Sequence, residues 1–303
     1  NNVDLRQRVR VGGATVDLAV ATQRDEGSLV FFEIDAEGEV RERVRVREAS
    51  AGDVAYLLEP DIKDGRGGLR DVQALWWAQE AGLDLRAEDL IDLDECYDSL
   101  LRARVSLHLA TDRAGDVLRL EDQDAAASVG GWGDADLMMR DVAAAGRQIA
   151  WLCEENWGRV EAGDVPPDRA VAPGVVLRAG EIELVESADP AADSTLVLQT
   201  AVAAARHDAR IGRTTLDRMH DEVVGWPGSW PVGATDDLVA LLLEGHRAIA
   251  VLESLDQRDL LARLLPEWEP VRSKPQRNAY HRFTVDRHLW EAAANASQLV
   301  DRV

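Results

Sequence analysis

The chain has 303 residues, 46% of them hydrophobic, which allows one large domain or two ordinary ones with a real core. Its formal net charge of −22 argues against nonspecific nucleic-acid binding, which needs dense Lys and Arg against phosphate. The acidic excess suits basic or cationic partners, metals included, although a genome that writes Asp and Glu often and Lys rarely produces the same balance.

Cys96 and Cys153 are too few for a disulfide framework and lack metal-site spacing, so a reducing compartment, the cytoplasm, is expected. No run approaches the roughly 20 apolar residues of a membrane span. No signal-peptide pattern opens the chain. Asn1 rather than Met stands first, so the natural start is expected to lie upstream.

Residues 1–47 read as a β meander of four short strands. Val9 and Val11 alternate with arginines before Gly12-Gly13, and Val16, Leu18 and Val20 follow. Val30, Phe32 and Ile34 come next, then Val40, Val44 and Val46. Four such strands must pack on something else. Asp17 is an acid on a strand, a position that completes the cage in two-metal sites, but its spacing favours a solvent-facing side chain.

The densest stretch runs from Glu59 to Val72. It holds Lys63, one of only two lysines in the chain, and puts Gly65, Gly67 and Gly68 within four positions. Glycine-freed N–H groups at a helix start form a natural anion cradle, with Lys63, Arg66 or Arg70 adding charge. Asp61 and Asp71 would then hold those cations or reach a metal. The other reading is a tight strand-to-helix turn in which an Arg–Asp pair locks the helix start.

From Leu69 the period becomes helical. Leu69, Val72, Leu75, Trp76 and Gln79 form one stripe; Leu93, Cys96, Leu100, Ala103 and Leu107 form another. Met138, Val142, Ala145, Ile149 and Leu152 form a third. Residues 163–174 read as a linker, and Val175 to Leu184 as a hairpin turning at Ala179-Gly180. Asp193-Ser194 is expected to cap a helix through Ala205, and Thr214 another through Glu222. Asp236 is expected to cap a single helix carrying Leu238, Leu242, Gly245, Ile249 and Leu252 on one face. Leu260 to Leu265 is a short amphipathic turn ended by Pro266, and residues 272–282 are a connector. Thr284 starts a last helix with Val285, Leu289, Ala292, Ala296 and Leu299 as its stripe. The fold class is mainly α: a bundle-like helical domain with a short N-terminal β meander and one internal β hairpin.

His288 lies one turn into that last helix with Asp286 beside it, an imidazole–carboxylate pair of the kind metals use. His108, His207, His220 and His246 are scattered over helices, and no triad, nucleophile elbow, Walker A or Rossmann fingerprint is present.

Leu58-Glu59-Pro60-Asp61-Ile62-Lys63, followed by Gly67-Gly68-Leu69-Arg70-Asp71, resembles the signature of the bacterial PII uridylyltransferase/uridylyl-removing enzymes. A related Gly-Gly-Ile-Arg-Glu version occurs in glutamine-synthetase adenylyltransferases. The resemblance continues through Leu101-Arg102-Ala103-Arg104, Leu107-His108-Leu109, the Gly180 hairpin, Asp189-Pro190, Thr214-Thr215-Leu216 and Leu265-Pro266-Glu267-Trp268. Tyr280 to His288 is similar to the start of that family's HD phosphohydrolase domain, so the likeness covers residues 41–303.

The resemblance implies an enzyme of nitrogen signalling. A nucleotidyltransferase core moves a nucleotide from UTP onto a tyrosine of the small PII protein with Mg²⁺. A helical domain helps hold nucleotide and partner, and an HD domain removes the nucleotide by metal-assisted hydrolysis. C-terminal ACT domains sense glutamine. Residues 1–47 are then unassigned or a degenerate remnant of the core, 48–270 the helical domain, and 271–303 the start of the HD domain. Asp61, Lys63, Gly67, Gly68, Arg70 and Asp71 are expected to be nucleotide-proximal or core-organising, and His288 the first HD metal ligand. No catalytic residue is assigned. The core needs a Gly-Ser helix start and an Asp-x-Asp on a strand; here Gly27-Ser28 is followed by an apolar strand with no Asp-x-Asp, and the HD domain's central His-Asp pair would lie beyond Val303. The expectation is therefore a fragment, truncated product or degenerate member without a complete catalytic site. The alternatives are a non-catalytic PII- or nucleotide-binding scaffold, or a PII adenylyltransferase using ATP. No nucleic-acid or membrane partner is expected.

Overall fold

The computed structural model describes residues 5–11, 14–20, 47, 50–80, 83–160, 168–226, 229–276 and 283–300, with side chains left out for the first two segments and for 159–160. The chain divides into two compact units. Unit 1 is 1–161 with 275–284, and unit 2 is 162–274 with 285–303.

In unit 1, β1 (Leu5–Val11) and β2 (Ala14–Val20) pair antiparallel with Val9 opposite Val16, as their alternation predicts. Asp17 stands opposite Arg8 in that register. The two further strands expected over residues 30–46, and the side-chain direction of Asp17, lie outside the described residues. Arg47, expected at the end of the meander, is helical.

Four helices follow: α1 (Leu69–Glu80), α2 (Ala87–Thr111), α3 (Leu120–Gly130) and α4 (Ala135–Val160). Helix α2 packs along both α3 and α4, and α1 lies against α4. The seams are the expected ones. Val72, Leu75, Leu93, Leu100, Ala103, Met138, Val142, Ile149 and Leu152 are fully buried. Each large side chain among them stabilises the unit by about 1.5–3 kcal/mol through removal from water. Helix α3 was not anticipated, because its buried face is Gln123, Ala126 and Ala127 rather than a stripe of large apolar residues.

Unit 2 holds a four-stranded sheet in the order β3 (Arg169–Ala172), β4 (Val175–Arg178), β5 (Glu181–Leu184), β6 (Arg210–Ile211). The predicted hairpin is β4–β5, with Leu177 opposite Ile182. It has neighbours on both sides: β3, from within the stretch read as a linker, pairs antiparallel with β4, and β6 pairs parallel with β5. Helix α5 (Leu196–His207) covers the sheet and is buried almost all round, which its Leu, Val and Ala content demands.

Helices α6 (Arg213–Glu222), α7 (Ala234–Leu243), α8 (His246–Gln257), α9 (Leu260–Leu264) and α10 (Val285–Val300) complete unit 2, with a 3₁₀ turn over Pro266–Trp268. Several expectations are corrected. Thr214 lies inside α6, whose N-cap is Gly212, while Thr215 turns inward to accept the Leu184 N–H. The N-cap of α5 is Thr195, and Asp193 instead accepts the Thr195 N–H. The single helix from Asp236 is two helices broken at Gly245, where φ is +64° and an added Cβ would press on Ser297. In α10 the buried face is Asp286, Trp290 and Ala294, and the expected stripe residues Leu289 and Leu299 are exposed. Burying Asp286 is tolerable because its carboxylate accepts the Ser273 N–H at 2.6 Å. No helix among the described residues is long and apolar enough to cross a membrane.

Candidate functional site

The segment that carries Lys63 is pinned on one side by residues 116–118. Leu118 N–H donates to Pro60 O and Ile62 N–H to Asp116 O, which places Asp61 opposite Val117. Asp61 then makes the turn. Its Oδ1 accepts the N–H groups of Lys63 at 3.0 Å and Asp64 at 2.8 Å.

The glycines answer to backbone packing. A Cβ on Gly65 would stand 2.6 Å from Asp61 O, and one on Gly68 would stand 2.7 Å from both Gly65 O and Lys63 O. Gly67 has φ +80°, and a Cβ there would overlap the carbonyl of Gly146 on α4.

Every amide from Gly65 to Asp71 is used within the fold. Gly65 donates to Asp61 O, Arg66 to Gly52 O, Gly68 to Gly65 O, Leu69 to Ile62 O, Arg70 to Lys63 O and Asp71 to Gly68 O. Gly67 donates to Asp71 Oδ2 at 2.7 Å. These amides are therefore not an anion cradle; they make the tight turn that was the second reading. Its lock is Asp71, buried to 4% exposure, whose other oxygen takes the Arg47 guanidinium. Burial pushes the Asp71 carboxyl up, against the pull of Arg47 and the Gly67 N–H. Arg70 pairs with Asp64, and Arg66 with Asp53 and Glu154.

Lys63 takes part in a different arrangement. Its Nζ lies 3.3 Å from Asp116 Oδ2, while Arg104 Nε lies 2.7 Å from Asp116 Oδ1. His108, one helical turn beyond Arg104 on the same face of α2, places Nε2 3.6 Å from Asp116 Oδ1 and 2.9 Å from Gly115 O. Burial alone would raise the Asp116 carboxyl, but the hydrogen bonds and charge of Arg104 and Lys63 outweigh it and hold it below its ordinary value. Asp116 carries no motif, and Arg104 and His108 stand out in the sequence only as part of a family-like helix. A basic pair spaced i, i+4 was the available signal.

The structure thus brings Asp61, Lys63, Gly67, Gly68, Arg70 and Asp71 together in one turn. His288 lies in unit 2, exposed near the start of α10. Its expected partner Asp286 is fully buried and takes the Ser273 and Arg287 N–H groups, so the two do not form a metal pair. Among the described residues no group of three or more His, Cys, Asp or Glu is placed to hold a metal ion. The carboxylates of Asp61 and Asp71 are occupied by amides and a guanidinium. These donor sets do not fit a Mg²⁺ cage, and no step is derived through one.

Comparison with known proteins adds a family. A family model described as GlnD PII-uridylyltransferase matches residues 37–157. The bifunctional uridylyltransferase/uridylyl-removing enzyme of Mycobacterium tuberculosis is 38% identical over 284 residues, 88% of this chain and 35% of the relative. That of Streptomyces coelicolor is 38% identical over 289 residues, 88% of this chain and 34% of the relative. That of Xanthomonas campestris is 30% identical over 302 residues, 91% and 34%. The chain therefore spans about a third of the length of these relatives. No solved structure matches it.

Proposed function

The chain belongs to the bifunctional uridylyltransferase/uridylyl-removing enzyme family, and from that premise we propose that it is the helical middle of such an enzyme. The whole enzyme would transfer UMP from UTP to the PII signal protein and hydrolyse it off again, in the cytoplasm, as part of nitrogen regulation. Mg²⁺ would be held by parts of the enzyme other than the described acids, and ATP in place of UTP would make it a PII adenylyltransferase. The observation that carries the reading is 38% identity sustained over 88% of the chain.

Within that enzyme the turn from Glu59 to Val72 has a mechanical task. Its amides, glycines and Asp71 fix the backbone, and a fixed backbone holds Lys63 and Arg70 where a nucleotide's charge can be met. His288 on α10 is proposed as a ligand of the hydrolytic metal site, its partners lying elsewhere in the enzyme. The second reading, a non-catalytic scaffold that binds PII or nucleotide, is favoured by the internal engagement of Asp61 and Asp71.

Two measurements test this. The chain is incubated with PII, Mg²⁺ and UTP or ATP, and PII is weighed by mass spectrometry. No mass gain is expected from the chain alone, and a nucleotide-sized gain would overturn the assignment as a non-catalytic middle part. In a full-length relative, Lys63→Ala and Arg70→Ala should lower transfer while leaving the melting temperature in place. Unchanged transfer with a lower melting temperature would reduce both residues to structural roles.

A further inference from the structure

The Asp116 cluster leaves a surplus of hydrogen-bond donors. Lys63 and Arg104 are permanent cations, His108 is a third basic group, and all three converge on one carboxylate. Arg104 meets Asp116 through Nε, so its two terminal nitrogens carry four N–H donors with no acceptor among the described residues. Lys63 has no partner there other than Asp116, and the Nδ1 edge of His108 is open while Nε2 faces Gly115 O. The neighbouring acids are already taken: Asp61 by two amides, Asp64 by Arg70, and Glu59 by the Leu120 N–H. Lys63 and Arg104 remain about 30% exposed, so their spare donors reach solvent.

We infer that Lys63 and Arg104, held in place by Asp116, form a binding site for the phosphate groups of an oligophosphate ligand. The two permanent cations sit on the two oxygens of one carboxylate, and a phosphate group presents a similar pair of oxygens to the donors left over. Arg104 offers its planar fork, and Lys63 a point charge. Asp116 is a positioning residue: it orders the cations and is itself kept ionised by them. The inference deepens the role proposed above for Lys63 and rests on that reading only for the ligand being a nucleoside triphosphate.

The test is isothermal titration of the full 303-residue chain with sodium tripolyphosphate and, separately, with UTP. Saturable binding of tripolyphosphate is expected, weakened about tenfold or more in Arg104→Gln and in Lys63→Gln. Arg104→Lys should recover part of the loss, and the ligand-free melting temperature of each variant should stay within a few degrees of the parent chain. Absence of binding to either probe, or full affinity in Arg104→Gln, overturns the inference. UTP binding no tighter than tripolyphosphate would support a phosphate site while removing the nucleotide; tighter UTP binding would support both. Tripolyphosphate binding lost in Arg104→Gln would stand even if no relative transferred a nucleotide to PII, so the two readings fail separately.

Discussion

Two carboxylates a short way apart in unit 1 are used in opposite ways. Asp71 is almost wholly buried, its carboxyl pushed up by burial, and both its oxygens face inward to Gly67 and Arg47. Asp116 keeps contact with solvent, its carboxyl is held down by two cations, and those cations retain unused donors. One closes a turn, and the other arms a surface. The family signature runs through both: its glycines and Asp71 belong to the first, and Lys63 to the second. Spare hydrogen-bond capacity, rather than charge or motif membership, separates the two kinds of residue.

The largest effect is expected where the turn meets α4. Gly67→Ala combines a left-handed φ with overlap on a backbone carbonyl, so it should destabilise unit 1 by on the order of 3–4 kcal/mol in denaturant unfolding. A loss below about 1 kcal/mol would show that the turn can slide off α4 and would break the comparison. Asp71→Ala comes next, at about 3 kcal/mol, because it removes a buried ion pair with Arg47 and leaves the buried Gly67 amide without its acceptor. Asp116→Asn should cost less, and its cost should depend on pH. The folded value of Asp116 lies below its ordinary 3.8, so its ion pairs stabilise the fold above that pH and are lost as pH falls through the folded value. The gap in melting temperature between parent and Asp116→Asn should therefore close in acid; a gap that persists would assign the residue to shape rather than charge. Arg104→Gln is the smallest, within about 1 kcal/mol in stability, as a part-exposed pair allows, and it should be felt in anion binding instead.

The seams of α1, α2 and α4 were legible because large apolar residues such as Leu93, Leu100, Met138 and Ile149 recur at helical spacing. Helix α3 was not, since alanines bury well without marking a face. The stripe through Leu242, Gly245 and Ile249 passes smoothly across a helix break, and only the φ of Gly245 reveals it. In α10 the apolar stripe misled because a satisfied aspartate, Asp286, took the buried position. At the site, the glycine turn is visible as a local motif, and a tight turn locked by an Arg–Asp pair is one of its two readings, but the internal use of every amide is not legible from the sequence. The cluster at Asp116 was hidden for a different reason. Arg104 and Asp116 are 12 residues apart, but Lys63 lies far from both along the chain, and the pairing of Pro60, Asp61 and Ile62 with Asp116, Val117 and Leu118 brings it to them.

The chain's late return to unit 1 has a consequence for how the protein tolerates change. Phe283 pairs with Leu57 and the Thr284 N–H donates to Tyr56 O, yet the next residue, Val285, donates its N–H to Lys274 O. The two ends of the 275–284 excursion thus meet within unit 2, one hydrogen bond apart. Unit 2 is closed without it, and those residues are in effect a loan from one unit to the other. Loop closure costs little more as a loop lengthens. Natural or engineered insertions at this point should therefore leave α10 seated, while a deletion that joins Lys274 directly to Val285 would remove the Thr284 N–H from Tyr56 O. The excursion is a place where the length of the chain can drift while the bridge at Leu57, just ahead of the signature turn, registers the change.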